Sequence, residues 1–197
     1  MEDRVLDGLQ VAILATDGVE EIELTDPRDA LERAGARTML LAPKAGEIQA
    51  MKHAEKAGTY RVDMTIDKAH ADEFDAVLLP GGTMNADKLR VEKAAQDFVR
   101  RMDDARKPVA AICHAPWLLV SAGVVKLRRL TSYHTIQDDV RNAGGMWEDR
   151  EVVIDGNWVT SRAPKDLPAF DREMLALFAD QRAKAQERAK AEERAAT

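Results

Sequence analysis

"VAAICHAPWLLVSAG", Val109 to Gly123, is the stretch on which the fold turns. Its first four residues are apolar and have the length of a buried strand, whereas Ala115-Pro116-Trp117-Leu118-Leu119 suits the start of a helix. Pro116 fits the first helical turn, where a missing N–H costs little. Cys113, the only cysteine of the chain, sits at the junction with His114 directly after it. A sharp strand-to-helix turn projects its central residue upward from the sheet. It also sets the thiol at a helix N-terminus, where the dipole and free N–H groups favour an anion. The expectation is a thiol lowered from the ~8.5 of a free cysteine, with His114 across the turn as base or ion-pair partner.

The same alternation runs outward along the chain. Leu9 to Thr16 is a short apolar run of strand length, followed by the loop "DGVEEIEL". "TDPRDALERAG" then reads as a helix capped by Asp26, with Pro27 at its first position and Gly35 at its stop. "RTMLLAP" gives a second strand, "TYRVDMTIDKA" a third and "FDAVLLPGG" a fourth, while "KAGEIQAMKHAEKAG" stays ambiguous. Asp87 to Ala105 is helical by pattern. "RLTSYH" reads as a strand, and "REVVIDGNWVTSR" as a hairpin around Asp155-Gly156-Asn157. Strands alternating with helices imply right-handed crossovers and a largely parallel sheet covered on both faces. After Phe178 the chain is nearly all Ala, Lys, Arg, Glu and Gln, as in a solvated extension of the last helix.

In such a sheet, sites form outside the carboxyl ends of the strands. Four polar features fall there: "DGVEEIE", the Gly81-Gly82 turn, Cys113-His114 and His134. One of Glu20, Glu21 and Glu23, buried beside a thiol, would be kept protonated and donate a hydrogen bond to it; spacing does not choose among the three. Gly81 and Gly82 allow a backbone N–H to approach a developing oxyanion, or form only a tight turn. His134 is the rival base, and His53 and His70 sit in polar surroundings.

Composition bounds the rest. With 197 residues, 45% of them apolar and 32% charged, the chain reads as one soluble domain. Its net charge of −6 argues against nucleic acid as a partner. The charged start and the lack of any apolar run near ~20 residues argue against a signal peptide or membrane span. A lone cysteine fits a reducing cytoplasm. No metal-ligand spacing, GxGxxG or Walker loop occurs, so no cofactor is expected.

"LLPGG", "PVAAICHAPWLLVSAGVV", "DDVRNAGGMWEDREVVIDGNWVTSR" and "DLPAFDREML" together resemble the PfpI-type intracellular protease family of the ThiJ/PfpI superfamily. The likeness implies a flavodoxin-like α/β three-layer sandwich over residues 9–178, with a mostly parallel sheet, a small β-hairpin and a charged tail over 179–197. By position it puts the nucleophile on Cys113, the histidine on His114, the supporting glutamate on Glu23, and the oxyanion donors on the backbones of Gly82 and His114. The third, acidic member, which some relatives take from an adjacent subunit, falls on Asp87. There the residue is Asp rather than Glu, and "TMNAD" is one residue longer than the family's spacing; Ala115 stands where many members have Gly. The likeness further implies a homodimer or hexamer and a stress-related hydrolase: a peptidase, or a deglycase/glyoxalase acting on methylglyoxal or its adducts. The alternative is a redox-sensing or chaperone-like stress protein with an oxidisable Cys113. A glutamine amidotransferase is set aside, since it needs a late histidine and none follows His134.

Overall fold

The strand Gln10–Leu14 (β1) shows how the sequence builds its layers. Its side chains alternate between faces, so Val11 and Ile13 join one apolar cluster while Ala12 and Leu14 join the other. The computed structural model describes residues 4–195. In chain order the strands are β1, β2 (Val19–Glu20), β3 (Arg37–Ala42), β4 (Glu47–Lys52), β5 (Glu55–Arg61), β6 (Met64–Thr65), β7 (Ala76–Leu79), β8 (Val109–Ile112), β9 (Arg129–Leu130), β10 (Met146–Trp147), β11 (Val152–Asp155) and β12 (Trp158–Ser161). The helices are α1 (Glu21–Arg33), α2 (Thr83–Leu89), α3 (Lys93–Asp104), α4 (Pro116–Ala122), α5 (Gln137–Asn142) and α6 (Leu167–Ala195).

The central sheet has seven strands in the order β11-β12-β8-β7-β1-β3-β6, parallel throughout except for the β11–β12 pair. One face packs Leu24 and Leu31 of α1 against Phe170, Met174 and Phe178 of α6. The other packs Phe98, Val99 and Met102 of α3 and Leu118 and Leu119 of α4. Helices on both faces of a parallel sheet make the three-layer flavodoxin-like sandwich that the alternating pattern implies. β7 and β8 are buried along their whole length, as strands covered on both sides must be.

Several boundaries differ from the sequence reading. The first helix begins at Glu21, so Asp26 is not its cap and Pro27 lies inside it. The buried stripe Glu23, Leu24, Pro27, Ala30, Leu31 recurs every three to four residues and starts before the proline. Its burial outweighs the ~3 kcal/mol cost of a mid-helix proline. The helical pattern from Asp87 to Ala105 is two helices, and the amide of Gln96 caps the carbonyl of Arg90 at 2.7 Å where α2 ends. The ambiguous "KAGEIQAMKHAEKAG" and the start of "TYRVDM" form the antiparallel β4–β5 hairpin, which pairs with β2 outside the main sheet. "RLTSYH" is a strand only at Arg129–Leu130. Beyond it the chain turns so that Tyr133 N–H donates to the carbonyl of Cys113 at 2.7 Å.

Candidate active site

At the carboxyl end of β8 the chain makes its turn at Cys113, whose φ is +63°. A side chain in this left-handed region costs on the order of 1–2 kcal/mol, and here two backbone hydrogen bonds hold it. Cys113 N–H donates to Ser161 O at 3.1 Å, and Cys113 O accepts from Tyr133 N–H. The end of β12 and the loop after β9 thus fix the elbow from two sides, and Pro116 starts α4 three residues later.

The thiol lies among four groups. His114 Nδ1 is 3.2 Å from Cys113 Sγ. The backbone N–H groups of Gly82 and His114 face the sulfur, and the Glu23 side chain, fully buried, is the fourth neighbour. Both oxygens of Glu23 are sealed from solvent without a hydrogen-bond partner at standard geometry. Burial, more than the charge of Glu20, raises the Glu23 carboxyl to about 8. It is therefore protonated at neutral pH, so no carboxylate charge faces the sulfur there.

The helix start does not lower the thiol. Burial pushes Cys113 up, the Glu23 carboxylate adds to this when ionised, and the two N–H groups only partly offset them. α4 is seven residues long, so its dipole is small beside the cost of desolvating a thiolate. His114 is lowered by burial first and by His134 second, so its imidazole is neutral near pH 7. Its Nε2 lies 3.3 Å from the hydroxyl of Thr135 and 3.5 Å from that of Thr83. When the thiol donates its proton to Nδ1, the neutral ring carries its own proton on Nε2, toward these hydroxyls. The Tyr133 ring stacks on His114 at 4.7 Å. The arrangement holds a neutral base against a thiol, with two N–H donors beside it.

The three loop glutamates part company. Glu20 accepts from His53 N–H at 3.0 Å, and Glu21 accepts from Tyr60 OH and Gly58 N–H, both at 2.8 Å, so these two hold the β4–β5 hairpin. Only Glu23 turns inward, because its place on α1 faces the sheet. Gly81 is required beside it: a Cβ there would collide with Glu23 Oε2 and stand 2.6 Å from Cys113 Cβ. Gly82 has φ +93°, and a Cβ would meet Glu20 N at 2.6 Å. His134 lies beyond Tyr133, its ring 4.6 Å from the tyrosine, without a hydrogen bond to Cys113. Asp87 is exposed on α2, and its side chain forms no hydrogen bond or ion pair among the described residues. Asn85, which the sequence reading passed over, is buried beneath the Gly81-Gly82 turn. Among the described residues no three His, Cys, Asp or Glu side chains gather to hold a metal ion. No helix among them is long and apolar enough to cross a membrane. A separate cavity of about 830 Å³ opens at the opposite end of the sheet, between Asp75, Arg106, Asn157 and Arg182, away from these groups.

Residues 9–177 match the DJ-1/PfpI family. A deglycase of Thermococcus kodakarensis is 44% identical over 169 residues, covering 86% of this chain and 99% of that protein. Protein/nucleic acid deglycase 2 of Escherichia coli is also 44% identical over 169 residues, covering 85% and 96%. Among solved structures, DJ-1beta of Drosophila melanogaster superposes with a TM-score of 0.79 at 28% identity, over 93% of this chain and 97% of that one.

Proposed function

The chain belongs to the DJ-1/PfpI family, and from that premise we propose that it is a cysteine-dependent deglycase-type hydrolase acting on methylglyoxal or its adducts. The observation that carries this reading is the 3.2 Å approach of Cys113 Sγ to a neutral His114 Nδ1 beside two backbone N–H groups. A raised thiol beside a neutral imidazole works as a general-base pair: the proton passes to Nδ1 as sulfur attacks, so no standing thiolate is needed. The sulfur forms a bond to the aldehyde carbon, and the C=O π pair moves onto oxygen between the N–H groups of Gly82 and His114. His114 returns the proton to that oxygen, giving a hemithioacetal. The carbon bound to sulfur then gives up its proton and the neighbouring carbon takes one, while the hydroxyl proton moves to the former ketone oxygen, so the fragment becomes a lactoyl thioester. Water attacks its carbonyl, the sulfur leaves and regains a proton, and lactate is released. Glu23, protonated, supports the sulfur without opposing its developing charge.

The names of the two deglycase relatives support a deglycase-type activity, while a 40% identical relative of Bacillus subtilis is named a putative cysteine protease, which keeps peptides as an arm of the test. A second reading rests on Glu23 alone: a buried, protonated carboxyl beside sulfur would also hydrogen-bond a Cys113 oxidised by peroxide, making the protein a sensor. Asp87, exposed on α2, is available to His114 of a second copy in a homodimer or larger assembly. The deciding experiment supplies purified protein with methylglyoxal, a methylglyoxal-treated thiol and a fluorescent peptide. Lactate release abolished by Cys113→Ala supports the deglycase reading, whereas peptide cleavage alone, or oxidation of Cys113 without turnover, overturns it.

A further inference from the structure

Asn85 is 1% exposed, in a stretch where its neighbours Met84 and Asp87 face solvent. Its side chain uses both amide protons and one carbonyl lone pair on backbone groups past the ends of two strands far apart in sequence. Oδ1 accepts from Thr16 N–H at 2.7 Å, just past β1. Nδ2 donates to Pro80 O and Gly81 O, both at 3.0 Å, just past β7. One amide therefore ties the ends of two neighbouring strands to the first turn of α2. Between these anchors sits Gly82, with φ +93° and its N–H toward Cys113. The carbonyl of Gly82 itself is held on the helical side by Ala86 N–H at 2.9 Å, while the Gly81–Gly82 peptide, which carries the Gly82 N–H, has as its other bond only Glu20 N–H donating to Gly81 O at a longer 3.3 Å.

We infer that Asn85 is a positioning residue that holds the Gly82 N–H in place as an oxyanion donor for the attack of Cys113. The inference rests on the proposed deglycase-type reaction and names what aligns its oxyanion site. An N–H donor stabilises a developing oxyanion only within about 2.7–3.1 Å of the position that the oxygen will take. A Gly81–Gly82 peptide whose carbonyl is held by one 3.3 Å bond can tilt its N–H by more than that window. Two carbonyls fixed to a buried amide remove them, because releasing the amide would leave its donors unpaired in the interior. Aspartate in place of Asn85 keeps the acceptor for Thr16 but sets carboxyl oxygens against the two carbonyls, so the anchor on the turn fails.

Two electrophiles separate positioning from simple structural support. With iodoacetamide, sulfur displaces iodide from the methylene carbon and no oxyanion develops, whereas addition of Cys113 to methylglyoxal develops one. Asn85→Asp is expected to slow hemithioacetal formation with methylglyoxal about tenfold or more while changing the alkylation rate less than about twofold. Asn85→Ser, which keeps a small polar group, is the second variant should the first not fold, with the same expectation. Equal losses in both reactions, or a loss in neither, would overturn the inference. The Gly82 amide resonance gives a readout independent of turnover: it is expected to shift and to exchange faster in the variant. If wild-type protein is alkylated yet does not react with methylglyoxal, the deglycase reading fails by itself. An unchanged Gly82 resonance overturns the role of Asn85 whatever the substrate.

Discussion

Replacing Glu23 by Gln removes a titration from the middle of the molecule, and its consequence for stability follows from the structure. The carboxyl is raised from 4.5 to about 8 by burial. The folded protein therefore holds a proton that the unfolded chain releases. A raised acid contributes stability that is complete below the unfolded pKa near 4.5 and lost as pH climbs through about 8. At about 1.4 kcal/mol per pH unit, the loss in wild type reaches about 4 kcal/mol by pH 8, where the folded group is half titrated. Asp171, raised to about 7 by burial and by Asp26, adds loss of the same sign in both proteins and cancels in the comparison. Gln cannot ionise and keeps a donor toward sulfur. The two proteins should be about equally stable at pH 5, and Glu23→Gln should be the more stable by several kcal/mol at pH 8. Urea unfolding followed by the fluorescence of the three tryptophans at pH 5, 6, 7 and 8 reads the difference directly. Parallel pH dependence in the two proteins would show that Glu23 is already ionised in the fold, and the argument for a protonated carboxyl beside Cys113 would be refuted.

Further outcomes follow from the same site. Iodoacetamide alkylation of Cys113 should titrate above the ~8.5 of a free thiol and move down in Glu23→Gln, since the carboxylate that raises it is gone; a midpoint below 8 in wild type contradicts this. Thr135→Val removes the nearer acceptor of the His114 Nε2 proton and should cut turnover about five- to tenfold, with Thr135→Ser restoring most of it; long-range ¹⁵N–¹H spectra of the ring check the tautomer. Asp87→Asn should leave folding unchanged and reduce turnover, and mixing it with Cys113→Ala subunits should recover partial activity. No recovery in mixed oligomers confirmed by mass spectrometry means that Asp87 does not act across copies.

The legible part of the site was the part encoded locally. Cys113 and His114 are adjacent, and a four-residue apolar run before Pro116 suffices to place them on a turn. Glu23 was a different matter. Spacing could not separate it from Glu20 and Glu21, because the local cap and proline signals at Asp26-Pro27 pointed to a later start for α1. Burial of Leu24 and Leu31 overrode them and rotated Glu23 inward. Asn85 left no signal at all, since an asparagine three residues past a Gly-Gly turn looks like any loop residue. Its partners, Thr16 among them, are brought to it only by the β1–β7 pairing. The β4–β5 hairpin was ambiguous for a related reason: β5 is largely exposed, so no apolar alternation marks its register.

The central claim is that Cys113 carries the substrate fragment as a covalent intermediate. Hydroxylamine intercepts a thioester as a hydroxamate and frees the thiol, so quenching a reaction with methylglyoxal in hydroxylamine tests it directly. Wild-type protein should yield lactohydroxamate in amounts approaching the enzyme concentration, and Cys113→Ala should yield none. Lactate formed without any hydroxamate, or hydroxamate formed equally by Cys113→Ala, would contradict it.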